Sequence, residues 1–129
     1  MSELIAPRQL SVLLLEDQVV ILLAAEDALI AGGYLVKSAT STLEALRLLD
    51  EYSFDAAVLD IGMQFGDSSR VAEALEQRGA PFLFSTASNE PLDGFTGVRV
   101  LSKPFRDEAL LAAIASVISE ARPPTSHVT

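Results

Sequence analysis

Cysteine is absent from the 129 residues, so the chain has no disulfide framework, thiol nucleophile or thiolate metal site, which suits a cytoplasmic protein. Basic residues are scarce: nine Lys and Arg stand against 18 Asp and Glu, for a formal net charge of -9. Duplex binding needs clustered cations to displace counterions, and these nine are scattered, which argues against a nucleic-acid partner. No apolar run approaches the ~20 residues of a membrane-spanning helix, so no membrane insertion is expected. The one candidate for a signal core, Leu10 to Leu15, is too short and runs straight into Glu16 and Asp17. A glycine-rich turn is missing after that first run, where Glu16-Asp17-Gln18 stands instead. That disfavours a dinucleotide-binding oxidoreductase, and a P-loop is absent as well. The single histidine, His127, sits near the C-terminus and is not expected to carry phosphate or metal.

What is present is a large apolar fraction, 50%, enough for a real core in one domain. The pattern divides the chain into a flexible lead 1–9, a folded unit 10–121 and a flexible tail 122–129 that contains two prolines. Leu10 to Leu15 is short, apolar and without alternation, as a strand buried on both faces should be. Gln18 to Ala31 reads as a helix closed by Gly32 and Gly33. Tyr34 to Ala39 is a second strand. Ser41 and Glu44 form a capping-box signature for a helix whose apolar side carries Leu43, Leu46, Leu48 and Leu49. Phe54 to Leu59 is a third strand, ending at Asp60. Ser68 or Ser69 caps a helix with Val71, Ala74 and Leu75 that Gly79 stops. Pro81 to Thr86 and Val98 to Leu101 are the last two strands, and Asp107 to Glu120 is the last helix. The intervening SNEPLDGFTG is rich in turn formers and offers no helix.

Five buried strands alternating with helices imply an α/β fold, a parallel sheet covered on both faces. In such sheets the site lies beyond the carboxyl ends of the strands, where the strand order switches. Glu16, Asp17, Asp60, Thr86 and Lys103 all fall at or just after such ends. Taken singly each has a plainer reading: the acidic pair as a helix cap, Lys103 as a surface lysine, Thr86 as an ordinary strand residue. Together they make a chemistry. Three close carboxylates demand a cation, and an all-oxygen set suits a hard one such as Mg²⁺. An ammonium and a hydroxyl opposite them suit a phosphoryl group, with Asp60 as the nucleophile.

Four motifs in order, VLLLED ending at Glu16 and Asp17, AAVLD ending at Asp60, FLFST ending at Thr86, and LSKPF with Lys103 and Pro104, resemble the receiver domains of two-component response regulators, the CheY-like domains. The resemblance runs from about Ser11 to Ile118. It implies a flavodoxin-like doubly wound sheet of order 2-1-3-4-5, with helices on both faces. It implies Asp60 as phosphoacceptor and Asp17 as direct Mg²⁺ ligand. Glu16 is then an acid acting mainly through metal-bound water, and the Gly62 carbonyl a backbone ligand. Thr86 becomes the switch hydroxyl and Lys103 the phosphoryl-binding ammonium. Ala87 resembles the small residue that leaves room for the phosphoryl group, and the Lys103-Pro104 bond resembles one that is cis in the family. A histidine kinase or phosphotransfer protein is the implied donor. The chain is expected to catalyse only its own aspartyl phosphorylation and dephosphorylation, and otherwise not to be an enzyme.

Two departures stand out. Val100 occupies the position three before the lysine, where the family usually has an aromatic ring. Thr86 and Lys103 are only 17 residues apart, so the fourth helix of the pattern, between the fourth and fifth strands, is expected to be short or absent. The PFLFST strand resembles a receiver branch with a Phe-Ala-Thr-Gly-aromatic motif, although Ala87 and Ser88 stand where Gly and the aromatic belong. A haloacid-dehalogenase-like hydrolase would need an acid where Gly62 stands. Because Val19 to Leu23 are consecutively apolar, some must face outward, and a docking or homodimer face on the first helix is expected. The chain shows no output module, so a single-domain regulator signalling through an unknown downstream protein, or serving as a phosphate sink, is the expectation. The alternative is a degenerate receiver acting only as an interaction module.

Overall fold

Apolar runs that do not alternate can be buried on both faces of a sheet, and here they become its centre. A computed structural model describes residues 8–63, 66–88 and 92–121. Its inner strands are β1 (Ser11–Leu15), β3 (Ala56–Asp60) and β4 (Phe82–Thr86), with β2 (Leu35–Ala39) and β5 (Val100–Ser102) at the edges. All four pairings are parallel and the order is β2-β1-β3-β4-β5, as the resemblance implied. Every residue of β3 and β4 is buried. The expectation of five buried strands is corrected at the edges: β2 and β5 each have a neighbour on one side only, and apart from Ala39 their residues are half-buried or exposed.

The helices are α1 (Val19–Ala31), α2 (Thr42–Glu51), α3 (Ser68–Gln77) and α4 (Asp107–Ala121). Two cores result. Val12, Leu14, Ala56, Val58 and Leu83 meet α1 and α4 through Leu22, Leu29, Leu110 and Ile114. Leu13, Leu15, Ala57, Leu59 and Phe84 meet α2 and α3 through Ala45, Leu49, Val71 and Leu75 on the other face. Neighbouring residues of one strand thus enter opposite cores. Each fully buried Leu contributes about 1.5–3 kcal/mol, so the central strands hold both layers together.

Local signals set the helix ends. At the end of α1, Gly33 has φ 99, its N–H donates to Ile30 O, and the Tyr34 N–H donates to Leu29 O, the left-handed cap expected there. In α2 the Glu44 N–H donates to Ser41 Oγ at 3.1 Å, while the Glu44 carboxylate reaches back to the Thr40 N–H at 2.8 Å. Leu43, expected on the apolar face, is 60% exposed; Ala45 and Leu49 carry the burial. The cap of α3 falls on Asp67, which accepts from the Ser69 N–H at 2.9 Å, not on Ser68 or Ser69.

Among the described residues no helix joins β4 to β5. A turn over 92–98 does so instead, with the Phe95 N–H bonded to Leu92 O and the Val98 N–H to Phe95 O. Phe95 is buried against Phe82 and Phe84, ring centroids 6.1 and 5.8 Å apart and edge to face. The short connection expected from the Thr86–Lys103 spacing is therefore present, pinned by one aromatic ring. Residues 1–7 of the lead, Asn89 to Pro91 of the turn-rich segment, and the tail 122–129 with His127 lie outside the described residues. Arg8 and Gln9 are described: Arg8 donates to both Asp55 oxygens at 2.9 and 2.8 Å, and Gln9 donates to Gly33 O. No helix among the described residues is long and apolar enough to cross a membrane.

Candidate functional site

The chain passes from β2 across β1 to β3, so the helices after β1 and β3 leave on opposite faces and a crevice opens at the carboxyl ends of these two neighbours. Glu16 follows β1 directly, and its N–H is fixed by Ala39 O at 3.0 Å. Asp60 closes β3. Thr86 closes β4, one residue beyond Ser85, which is the register partner of Asp60. Lys103 follows β5, and its N–H donates to Thr86 O at 2.8 Å. Backbone pairing of four strands has therefore put four side chains from distant parts of the chain at one end of the sheet.

The Lys103 ammonium joins the two arms of the crevice. Its Nζ donates to Glu16 Oε1 at 2.7 Å and to Asp60 Oδ1 at 3.0 Å. Both carboxylate side chains are nearly inaccessible, at 3% and 2%, while the lysine side chain is 15% exposed. Burial pushes the Glu16 carboxyl above its ordinary range and the Asp60 charge adds to this, against the pull of Lys103 and of the Gln18 N–H. Burial alone would lower the Lys103 ammonium, but its hydrogen bonds to Glu16 and Asp60 outweigh it and leave it raised. The lysine is thereby held charged at neutral pH.

Asp60 is further oriented from its own loop. The Gly62 N–H donates to Oδ1 at 3.0 Å, and the buried Ser68 hydroxyl donates to the Asp60 carbonyl at 2.8 Å. Oδ2 has no hydrogen bond among the described residues. One carboxylate oxygen from each of Glu16, Asp17 and Asp60 can lie within 4.8 Å of the other two. Three carboxylates against one ammonium leave a formal charge of two minus, and the donors are all oxygen. That set fits a hard divalent cation better than a soft one.

Of the residues expected at the site, Glu16, Asp17, Asp60 and Lys103 are brought together, and Gly62 touches Asp60 through its N–H. Thr86 reaches the same end of the sheet, but its hydroxyl is engaged by Ser88. Ala87 is exposed beside it, and the Lys103-Pro104 bond is cis. Two contributors escaped the sequence. Ser68 stands where a helix cap also would, and Ser88 shows no signal beyond its place two residues after Thr86.

The sequence profile of the response regulator receiver domain matches residues 12–115. The protein named "Probable transcriptional regulator ycf29" of Porphyra purpurea is 32% identical over 117 residues, which cover 84% of this chain and 56% of that one. The chain spans about half the length of the curated relatives it matches. Among solved structures, the response regulator receiver protein of Sinorhizobium medicae WSM419 superposes with a TM-score of 0.78 at 24% identity, covering 88% of this chain and 98% of that one. The chemotaxis response regulator CheY4 of Vibrio cholerae superposes with a TM-score of 0.75 at 25% identity, covering 85% and 99%. The order of the five parallel strands, the crevice between β1 and β3 with its acids and lysine, and the matched 12–115 span lead to one conclusion: the chain belongs to the response regulator receiver domain family.

Proposed function

We propose that this receiver domain accepts a phosphoryl group on Asp60 from the phosphohistidine of a histidine kinase or phosphotransfer protein. The observation that carries the reading is the Asp60 carboxylate itself: Oδ1 is held by Lys103 and the Gly62 N–H, and among the described residues no hydrogen bond is made to Oδ2. In the step an Asp60 oxygen bonds to phosphorus as the donor's phosphorus–nitrogen bond breaks. The imidazole keeps the electron pair and takes up a proton. Lys103 meets the charge of the incoming phosphoryl oxygens, and the rigid strand end keeps the carboxylate in line. Glu16, Asp17, Asp60 and the Gly62 carbonyl would hold Mg²⁺, which supplies the charge neutralisation that lets two anions approach. Water later cleaves the acyl phosphate and regenerates the carboxylate. The chain's catalysis is confined to its own phosphorylation and dephosphorylation.

The phosphorylated domain acts in the cytoplasm through protein contacts or as a phosphate sink. The exposed side of α1 supports a partner there: Val19, Val20 and Leu23 are 55%, 82% and 51% exposed. Several relatives are named as transcriptional regulators, but this acidic chain offers no clustered cations for nucleic acid. Incubation with a small phosphodonor and Mg²⁺, followed by intact mass, tests the reading. One phosphoryl adduct that disappears in Asp60→Ala is expected. No adduct would reduce the domain to an interaction module.

A further inference from the structure

The receiver reading leaves one contact without a role. Thr86 is buried, and its backbone is held by β4 and by the Lys103 N–H on its carbonyl. Its hydroxyl has two partners, both from Ser88: the Ser88 N–H donates to Oγ1 at 3.1 Å, and the two hydroxyls lie 3.1 Å apart. No other hydrogen bond to that oxygen occurs among the described residues. A threonine hydroxyl has one proton and two lone pairs. The Ser88 N–H occupies one lone pair, and a proton from Ser88 Oγ would occupy the second. The Thr86 proton is then the only hydrogen-bonding capacity left, and it serves a group arriving at this end of the sheet.

We propose that Ser88 is a positioning residue for the Asp60 phosphoryl group, acting through Thr86. Its N–H and hydroxyl fix the Thr86 rotamer, and with Ser88 Oγ as the donor between the two hydroxyls both acceptor sites of Thr86 are filled, so that Thr86 can only donate. This rests on Asp60 as phosphoacceptor. Thr86 follows the register partner of Asp60, so both side chains stand at the same strand ends. Hydrogen bonds in series strengthen one another, and the Ser88–Thr86 pair is such a series, ending on the phosphoryl oxygen. Across β5 the register partner of Thr86 is Ser102, while the aliphatic Val100 is paired with Phe84.

Ser88 is exposed, so its substitution leaves the core intact. With a small phosphodonor and Mg²⁺, Ser88→Ala should raise the donor concentration for half-maximal adduct about fivefold, the effect of one lost hydrogen bond. Adduct decay should quicken, and the denaturation midpoint should not move. Ser88→Thr, which keeps a hydroxyl, should restore both values. In a Thr86→Ala background Ser88→Ala should do nothing further, because its effect passes through Thr86. An unchanged or tighter response in Ser88→Ala, failure of the Thr variant to restore, or a full effect in the Thr86→Ala background would overturn the proposal. Absence of any adduct on the unaltered chain would instead overturn the phosphoacceptor reading and this proposal with it.

Discussion

Lys103 Nζ donates to Glu16 Oε1 at 2.7 Å across 87 residues of sequence. The same ammonium holds Asp60, so it is the shared counter-charge of two buried acids from neighbouring strands. Replacing it with Ala leaves both carboxylates buried without their cation. Lys103→Ala should lower stability in metal-free buffer by about 3 kcal/mol, the scale for breaking a buried ion pair. Mg²⁺ should recover part of the loss. Urea unfolding with and without Mg²⁺ measures both quantities, and a loss below about 0.5 kcal/mol would contradict the shared-counter-charge role.

Glu16, Asp17 and Asp60 together predict a stabilising response to divalent cations in the unaltered chain. Binding to the folded state alone contributes about 2.7 kcal/mol at a free concentration 100 times Kd, a rise in Tm of several degrees for a domain of this size. Asp17→Asn should abolish most of that rise. A metal response that persists undiminished in the variant would place the cation elsewhere.

Asp55 ties the start of β1 to the residues before it. It accepts from both Arg8 nitrogens and from the Ser11 N–H at 2.8 Å. The Arg8 hydrogen bond, more than any other cause, holds its carboxyl below the usual range. The folded state therefore binds that proton more weakly than the unfolded chain. The resulting stability is full above the unfolded value of about 3.9 and is lost as pH falls through the lowered folded value. Because Arg8 is largely exposed, Asp55→Asn should cost only about 1 kcal/mol at neutral pH. The difference from the unaltered chain should shrink as pH falls below the unfolded value, which chemical denaturation from pH 7 to 3 would check.

Phe95 anchors the connection between β4 and β5, where no helix occurs among the described residues. Its ring packs edge to face on Phe82 and Phe84. Phe95→Ala should destabilise the domain by about 3 kcal/mol through the cavity it leaves. The Asp60 adduct should still form under folding conditions, because the site's ion pairs involve none of these rings. Loss of the adduct with the fold intact would show that this turn supports the site directly.

Val20 is 82% exposed at the start of α1 and borders a groove lined by Ile21, Ala87, Pro104 and Phe105. Val20→Ser together with Leu23→Ser should leave stability within about 0.5 kcal/mol each. Phosphotransfer from a kinase should slow, while reaction with a small phosphodonor stays unchanged. Kinase transfer as fast as in the unaltered chain would remove α1 from the docking surface, and mass measurement by light scattering would show whether the same face pairs two copies.

The sequence by itself determined the parallel α/β architecture, because unalternating runs such as Val12 to Leu15 and Ala56 to Leu59 can be buried only between two layers. It also placed Glu16, Asp17, Asp60 and Lys103 at strand ends, since chemistry-bearing residues interrupt apolar runs there. The Thr86–Lys103 spacing announced the short connection between β4 and β5, in which no helix occurs among the described residues. Local signals failed where two roles share one residue type. Ser68 looks like a cap but bonds the Asp60 carbonyl, because Asp67 had already taken the cap. Leu43 fits the apolar period yet faces outward, because burial depends on which layer covers each turn. Only the tertiary structure decided that Lys103 bridges Glu16 and Asp60, and that Thr86 answers first to Ser88. Those are contacts of ångström scale between side chains, and the order of residues along a chain does not encode distance across a sheet.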